Sequence, residues 1–143
     1  MQELILPLSQ LRLWWRPTDQ TWRYVEGAYA DNAEFLELTE DAWSRWTGAA
    51  EGQLHAGFQP EAYEREQSWW VVFGEVTADS AEPVVTLADG TRPPVQRLGP
   101  LFAAEWVSAP QQATAIRGTL VTSFDFHRPS RMVAGGRYKN IPT

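Results

Sequence analysis

Alternating hydrophobic and polar positions predict strands over much of the first thirty residues. Leucines occupy every second position over residues 4–8, and after a one-residue change of phase near Ser9 the alternation continues to Trp15. Such a change of phase is typical of a β-bulge or a bend within one strand. Residues 16–20 have the composition of a turn, and residues 21–29 alternate again. The pattern therefore predicts an N-terminal β-hairpin.

The segment that follows the hairpin carries weaker signals. Residues 35–38 have the composition of a short strand. Thr39 and the two acids after it then predict the start of a helix, because the hydroxyl can cap the helix and acids are favoured in its first turn. Trp43 and Trp46 are three residues apart and would share one face of this helix. A second short helix is predicted over residues 61–66, directly after a proline.

Strand signals are strongest in the C-terminal half. Short aromatic, β-branched or alternating runs occupy residues 69–76, 83–88, 95–98, 101–107, 113–118 and 119–127. Asp89-Gly90 separates two of these runs and suits a two-residue type I′ turn. Closely spaced strands with turn residues between them predict a mostly β, antiparallel fold with one or two short helices. A β-sandwich is the first choice of architecture and a small closed β-barrel is the second.

Part of this half resembles a known structural unit. The runs at 72–76, 84–91 and 101–106 resemble a hairpin unit of immunoglobulin-like β-sandwiches from uncharacterised bacterial proteins. The resemblance lies within residues 70–118 and involves turn and core positions. It implies a sandwich fold and brings no catalytic residue with it.

The length of 143 residues fits one domain. We assign residues 1–128 to a single β-rich domain and residues 129–143 to a flexible tail. From Arg128 to the end of the chain there are four basic residues, two glycines, two prolines and no acid. Such a basic tail either binds an acidic partner or only increases solubility.

Charge and cysteine content narrow the function classes. The net charge of −6 argues against nucleic acid as a partner, since binding to phosphate backbones needs clustered basic residues. The absence of cysteine excludes disulfides, thiolate metal sites and a cysteine nucleophile, and it is compatible with a cytoplasmic location. The N-terminal residues do not have the pattern of a signal peptide. No window approaches the roughly 18 apolar residues that span a membrane.

Eight tryptophans give the chain its most unusual composition. Trp14-Trp15 and Trp69-Trp70 are adjacent pairs, and neighbouring residues of a strand point to opposite faces. In a two-layer sandwich about two indoles would then lie outside the core and form a binding surface. The alternative is that the predicted helix, a barrel interior or a second copy covers them. The candidate binding residues are Trp14, Trp15, Trp43, Trp46, Trp69, Trp70 and Trp106.

The histidines suggest a metal site. Asp125 and His127 are two apart in a predicted strand and so face the same side. With His55 they form a candidate set of ligands for a divalent metal. The alternative is a single carboxylate–imidazole contact at a solvated strand end.

Other catalytic signatures are weak. No GxSxG or phosphate-binding loop occurs, and no motif predicts a cofactor. Glu37 and Glu105 lie in apolar contexts and are candidates for paired-carboxylate chemistry. The alternative for these acids, and for the clusters at residues 34–41 and 61–66, is an ordinary polar surface.

Three functions remain. The first is a non-enzymatic protein-interaction or assembly module that uses an aromatic, acid-rimmed surface to bind another protein or a second copy of itself. The second is a small-ligand-binding protein with a tryptophan-lined pocket. The third is a metal-dependent hydrolase that uses Asp125 and His127.

Overall fold

A computed structural model describes residues 1–49, 52–76 and 82–127 together with the backbone of Arg137–Tyr138. Its strands form three sheets in which all neighbouring strands are antiparallel. The N-terminal sheet has the order β1 (Gln2–Ile5), β2 (Arg12–Arg16), β3 (Thr21–Val25), β4 (Ser44–Arg45).

The other two sheets contain the rest of the strands. The middle sheet has the order β12 (Arg137–Tyr138), β5 (Leu54–Phe58), β6 (Ser68–Glu75), β9 (Leu101–Ser108), β8 (Gln96–Leu98). The C-terminal sheet has the order β11 (Leu120–Asp125), β10 (Gln112–Arg117), β7 (Val84–Leu87). Helix α1 (Ala33–Leu38) and two 3-10 turns, Gly27–Tyr29 and Ala62–Glu64, lie between strands.

The middle sheet is covered on both faces. Trp70 and Val72 of β6 belong to a hydrophobic cluster shared with the C-terminal sheet. Val71 and Phe73, which alternate with them, belong to a second cluster shared with the N-terminal sheet. The three sheets therefore stack as three layers with two cores. This explains why β6 is a nearly continuous apolar run, since a strand that is buried on both faces needs no polar alternation.

The predicted fold class is confirmed. The described part of the chain is mostly β and antiparallel, with one short helix, and it is consistent with a β-sandwich. The described residues form three open sheets and not the small closed barrel that was the second choice. The hairpin with its turn at residues 16–20 is also confirmed, because β2 pairs with β3 across that turn.

The prediction of a bulge near Ser9 is wrong. β1 ends at Ile5 and β2 begins at Arg12, and the two strands pair with each other in opposite directions. The change of phase therefore marks a reversal of the chain. A hydrogen bond of 2.9 Å from the Leu6 N–H to the Leu11 carbonyl closes this reversal.

The helix predicted from Thr39 is also wrong. The helix lies at Ala33–Leu38, where a short strand was predicted, because Asn32 caps it by accepting a hydrogen bond of 2.9 Å from the Phe35 N–H. Thr39 ends this helix instead of starting one, since its hydroxyl donates back to the Phe35 carbonyl at 2.7 Å.

Two smaller predictions also need correction. The helix over residues 61–66 is only the 3-10 turn Ala62–Glu64. The chain does reverse at Asp89-Gly90, where Gly90 has φ of +87°, but Asp89 lacks the positive φ that a type I′ turn requires. The strands on either side of this turn belong to different sheets, so it connects layers and does not close a hairpin.

The C-terminal tail lies mostly outside the described residues. Two of its residues, Arg137–Tyr138, form β12 and pair with Gly57 and Ala56 of β5. Its division from a domain at residues 1–128 stays a prediction. In the described ranges, no helix combines the length and the apolar character needed to cross a membrane.

Candidate functional site

The Trp69-Trp70 pair is divided between the two faces of the middle sheet, as the strand geometry predicts. Trp70 is sealed in the core beside the C-terminal sheet, where its Nε1–H donates to the Ser108 carbonyl at 2.9 Å. Trp106 lies in the same core. Trp69 is half-buried and packs against the core beside the N-terminal sheet. The third layer thus covers the face that a two-layer sandwich would leave open.

Trp15 and Trp46 close the core between the N-terminal and middle sheets. Their rings meet edge to face, with centroids 6.3 Å apart. The Trp46 Nε1–H donates to the Val76 carbonyl at 3.1 Å, which ties the segment after α1 to the middle sheet. Gly99 has φ of +56°, and a Cβ there would lie 2.7 Å from the Trp15 ring. These indoles have a packing role.

Trp14 and Trp43 are the tryptophans outside both cores, and arginines cover them. The guanidinium carbons of Arg12 and Arg23 lie 5.7 and 5.4 Å from the centroid of the Trp14 ring. The guanidinium carbon of Arg16 lies 3.9 Å from the centroid of the Trp43 ring. None of the large hydrophobic side chains that the described residues expose is a tryptophan. The predicted aromatic surface is therefore an arginine-covered one.

One cavity lies between the N-terminal and middle sheets, and we call it the socket. Its volume is about 120 Å³. Its walls include Leu11 of the N-terminal sheet region and Trp69, Val71 and Phe73 of the middle sheet. Trp69 is thus the predicted binding residue that the fold places at a cavity.

The strand register explains why the socket exists. Gly57 of β5 pairs directly with Val71 of β6, so the two positions share a face. Trp69, Val71 and Phe73 line this face, and Gly57 contributes no side chain beside them. A Cβ on Gly57 would meet the Val71 Cγ1 at 3.4 Å, an ordinary van der Waals distance. The missing side chain leaves the space that the socket occupies.

Glu105 holds the loop that closes one side of the socket. Its carboxylate accepts hydrogen bonds from the Leu8 N–H at 2.6 Å, the Ser9 N–H at 3.0 Å and the Ser9 hydroxyl at 2.8 Å. Ser9 itself lines the socket. Glu105 therefore positions a wall, and the paired-carboxylate role suggested for it has no support from this geometry. Glu37, the other candidate, is exposed on α1.

Glu26 is the ionisable side chain that sequence reasoning missed at the socket. It follows β3 directly and lines the cavity. Burial raises the pKa of Glu26 above its usual value. Its position on the same face as Trp22 and Tyr24 in the alternating pattern was the signal that placed it near the core.

His55 lies beside the socket in an aromatic cluster. Its ring is 4.9 Å from that of Tyr24 and 5.3 Å from that of Phe73, and its Nε2 is 3.0 Å from the Gln53 Oε1. Burial lowers the pKa of His55 to about 4, so the ring is neutral near pH 7.

The predicted metal ligands do not meet. The side chains of Asp125 and His127 contact each other at the end of β11, whereas His55 faces the other side of the middle sheet. Nowhere in residues 1–49, 52–76 or 82–127 do three histidine, aspartate or glutamate side chains come together in a way that could hold a metal ion. The arrangement matches the single carboxylate–imidazole contact of the alternative interpretation.

No family model, curated protein or solved structure matches this chain. The resemblance to immunoglobulin-like hairpin units therefore stays a prediction.

Proposed function

We propose that this protein binds a small, mostly apolar ligand in the socket. The observation that carries the proposal is a cavity of about 120 Å³ beside Leu11, Trp69, Val71 and Phe73. Protein interiors are close-packed, and they contain few voids larger than a water molecule. An apolar cavity of roughly 150 Å³ is known to hold a benzene molecule. A ligand of about that size, or one ring of a larger ligand, fits the socket.

The chemistry of the walls supports an apolar ligand. Trp69 offers a half-buried ring for stacking, and Val71 and Phe73 are buried behind it. The Ser9 hydroxyl is already used in its bond to Glu105. Burial favours the uncharged form of Glu26, which suits contact with an apolar or hydrogen-bonding ligand better than with an anion.

Filling the socket tests the proposal. Gly57→Val adds a side chain beside Val71 without backbone strain, because Gly57 does not need a positive φ. We expect phenol and toluene to change the tryptophan fluorescence of the wild type and to have at least about tenfold weaker effect on Gly57→Val, since the added methyl groups occupy the cavity. Titration of each probe, with thermal unfolding of each variant, measures this.

The matched control is Ser123→Val, which adds similar bulk to a half-buried strand position away from the socket. It should bind both probes like the wild type. Equal binding by Gly57→Val and the wild type, or no response of the wild type to millimolar probe, would contradict the proposal.

A further inference from the structure

A second cavity lies on the outer face of the N-terminal sheet, and we call it the outer cavity. Its volume is about 210 Å³, and it is lined by Arg23 and Val25 of β3 and by Phe35 and Thr39 at the two ends of the α1 segment. Val25 and Arg23 alternate with the core-facing Trp22 and Tyr24, which places them on the outer face. Strand β3 therefore lies between most of the outer cavity and the socket, and Glu26, which follows β3, borders both.

Arg23 is a buried cation in this cavity. Its relative exposure is only 9%. Its Nη2 donates to the Thr39 hydroxyl at 2.6 Å and to the Leu36 carbonyl at 3.4 Å, and its Nε has no hydrogen-bond partner. Among the residues that the structure describes, no carboxylate oxygen lies within 4.0 Å of its nitrogens. A buried guanidinium without an anion is costly, because its lost hydration is not replaced.

Three other arginines do have a carboxylate near them. Arg16 pairs with Asp19 at 2.9 Å, and Arg97 pairs with Glu82 at 2.6 Å. Arg117, which is more deeply buried than Arg23, has its charge offset by Glu75 and donates to two carbonyls. Arg23 has instead two neutral acceptors and the face of Trp14 at 5.4 Å. Within the described part of the chain no carboxylate pairs with Arg23, and Arg23 lines a cavity with room for an anion.

We propose that the outer cavity binds a small monocarboxylate, whose carboxylate pairs with Arg23 and whose apolar part packs against Phe35 and Val25. The planar guanidinium suits the two oxygens of a carboxylate. A dianion such as phosphate is disfavoured, because the chain has a net charge of −6 and the segment that borders the cavity carries Glu40 and Asp41. Glu26 also lines the cavity, and the burial that raises its pKa reduces its repulsion of an anion.

Titration calorimetry on the full chain tests this second site. The socket is closed with Gly57→Val so that it does not compete for the probes, and phenylacetate is compared with its neutral amide, phenylacetamide. We expect phenylacetate to bind at least about tenfold more tightly than the amide, since only the acid pairs with the guanidinium. Arg23→Gln should abolish this preference, and Arg23→Lys should weaken binding while it keeps the charge.

Two controls separate binding from folding. Arg16→Gln removes an arginine of the same sheet that already has a carboxylate partner, and it should leave phenylacetate binding unchanged. Thr114→Val removes a hydroxyl from the C-terminal sheet, away from the outer cavity, so any change it causes in the melting temperature should leave the preference for the acid unchanged. An Arg23→Gln variant that retains wild-type binding overturns the proposal, as does equal affinity for acid and amide.

A last comparison identifies the source of the carboxylate. Titration with a blocked glutamate dipeptide stands for the acidic side chain of a protein partner. Tighter binding of phenylacetate than of the dipeptide supports a small-molecule site. Binding of the dipeptide alone would overturn the small-molecule assignment in favour of a protein partner. Because neither probe needs the socket, these results stand whether or not the socket binds a ligand.

Discussion

At the scale of single residues, the environment of each polar side chain decides its chemistry. His55 and His127 are the two histidines of the chain, yet one lies in an aromatic cluster and the other is exposed beside Asp125. The difference comes from the layer that covers each position, and sequence reasoning therefore joined two residues that the fold separates.

His55 makes the stability of the protein sensitive to acid. Its pKa is about 4 in the folded protein and 6.5 in its ordinary state, so between these pH values the unfolded chain binds more protons than the folded one. The stability contributed by neutral His55 is complete above pH 6.5 and is lost as the pH falls toward 4. The full effect is about 3 kcal/mol at pH 4 or below, at 1.36 kcal/mol for each pH unit.

His55→Phe should remove this acid sensitivity, because the ring still packs on Tyr24 and Phe73 but takes up no proton. Urea unfolding between pH 4 and pH 7 measures the slope of stability for both proteins. Glu26 and Glu75 have raised pKa values and change stability in the opposite direction, but they are common to both proteins and cancel in the comparison. Identical slopes for the two proteins would contradict the prediction.

At the scale of elements, local signals located strands better than helices. β6 buries nearly every residue and β9 buries its first four and Trp106, and their apolar runs were recognised at close to their true bounds. α1 is only six residues long, so it cannot be stable alone and its place depends on a cap and on docking. The hydrogen bond from the Phe35 N–H to the Asn32 Oδ1 and the contact of Arg23 with Thr39 decide its position. Neither was visible in a hydrophobic pattern.

The loop between β1 and β2 depends on one carboxylate. The Glu105 carboxylate accepts three hydrogen bonds from Leu8 and Ser9. In Glu105→Gln, one carboxylate oxygen becomes an amide NH2 group, which cannot accept a hydrogen bond and points its own N–H groups at those donors. We expect a loss of stability of about 1–3 kcal/mol, because the bonds are charge-assisted and a half-buried donor is left unpaired. Probe binding in the socket should weaken with it.

The control for this prediction is Glu82→Gln. It breaks an ion pair with Arg97 in which the glutamate is exposed, and such pairs contribute only about 0–1 kcal/mol. Chemical unfolding of both variants at pH 7 compares the two effects. If Glu105→Gln costs no more than Glu82→Gln, the carboxylate does not hold the loop.

At the scale of the whole molecule, a buried arginine beside a buried glutamate joins two of the three layers. Arg117 of the C-terminal sheet donates to the carbonyls of Glu75 and Gly52 at 2.9 and 2.8 Å. Both charged residues have a relative exposure of 3%. Burial raises the pKa of the Glu75 carboxyl and lowers the pKa of Arg117. The attraction between the two charges shifts both pKa values the other way, but by less than burial does. The pair secures the relative position of the two sheets at a cost in desolvation.

Arg117→Met should be strongly destabilising at pH 7, by about 3–5 kcal/mol, because it leaves Glu75 ionised and buried without a cation. The loss should shrink as the pH falls toward 4.5, since the raised pKa of Glu75 lets its carboxyl take up a proton there. The double variant Glu75→Gln, Arg117→Met should recover part of the stability. Unfolding at pH 5 and pH 7 measures all three proteins, and a pH-independent loss would contradict the prediction.

The sequence by itself determined the fold class, the antiparallel hairpin at β2 and β3, and the long buried strands, because hydrophobic periodicity and turn residues are local properties of the chain. It also determined that the two indoles of each tryptophan pair lie on opposite faces. Only the tertiary structure decided what covers those faces. The stacking of three sheets and their long-range register left Trp69 half-buried beside Gly57, placed Arg23 at a cavity and put His55 and Asp125 in different layers, because contacts between layers depend on partners far away in the chain.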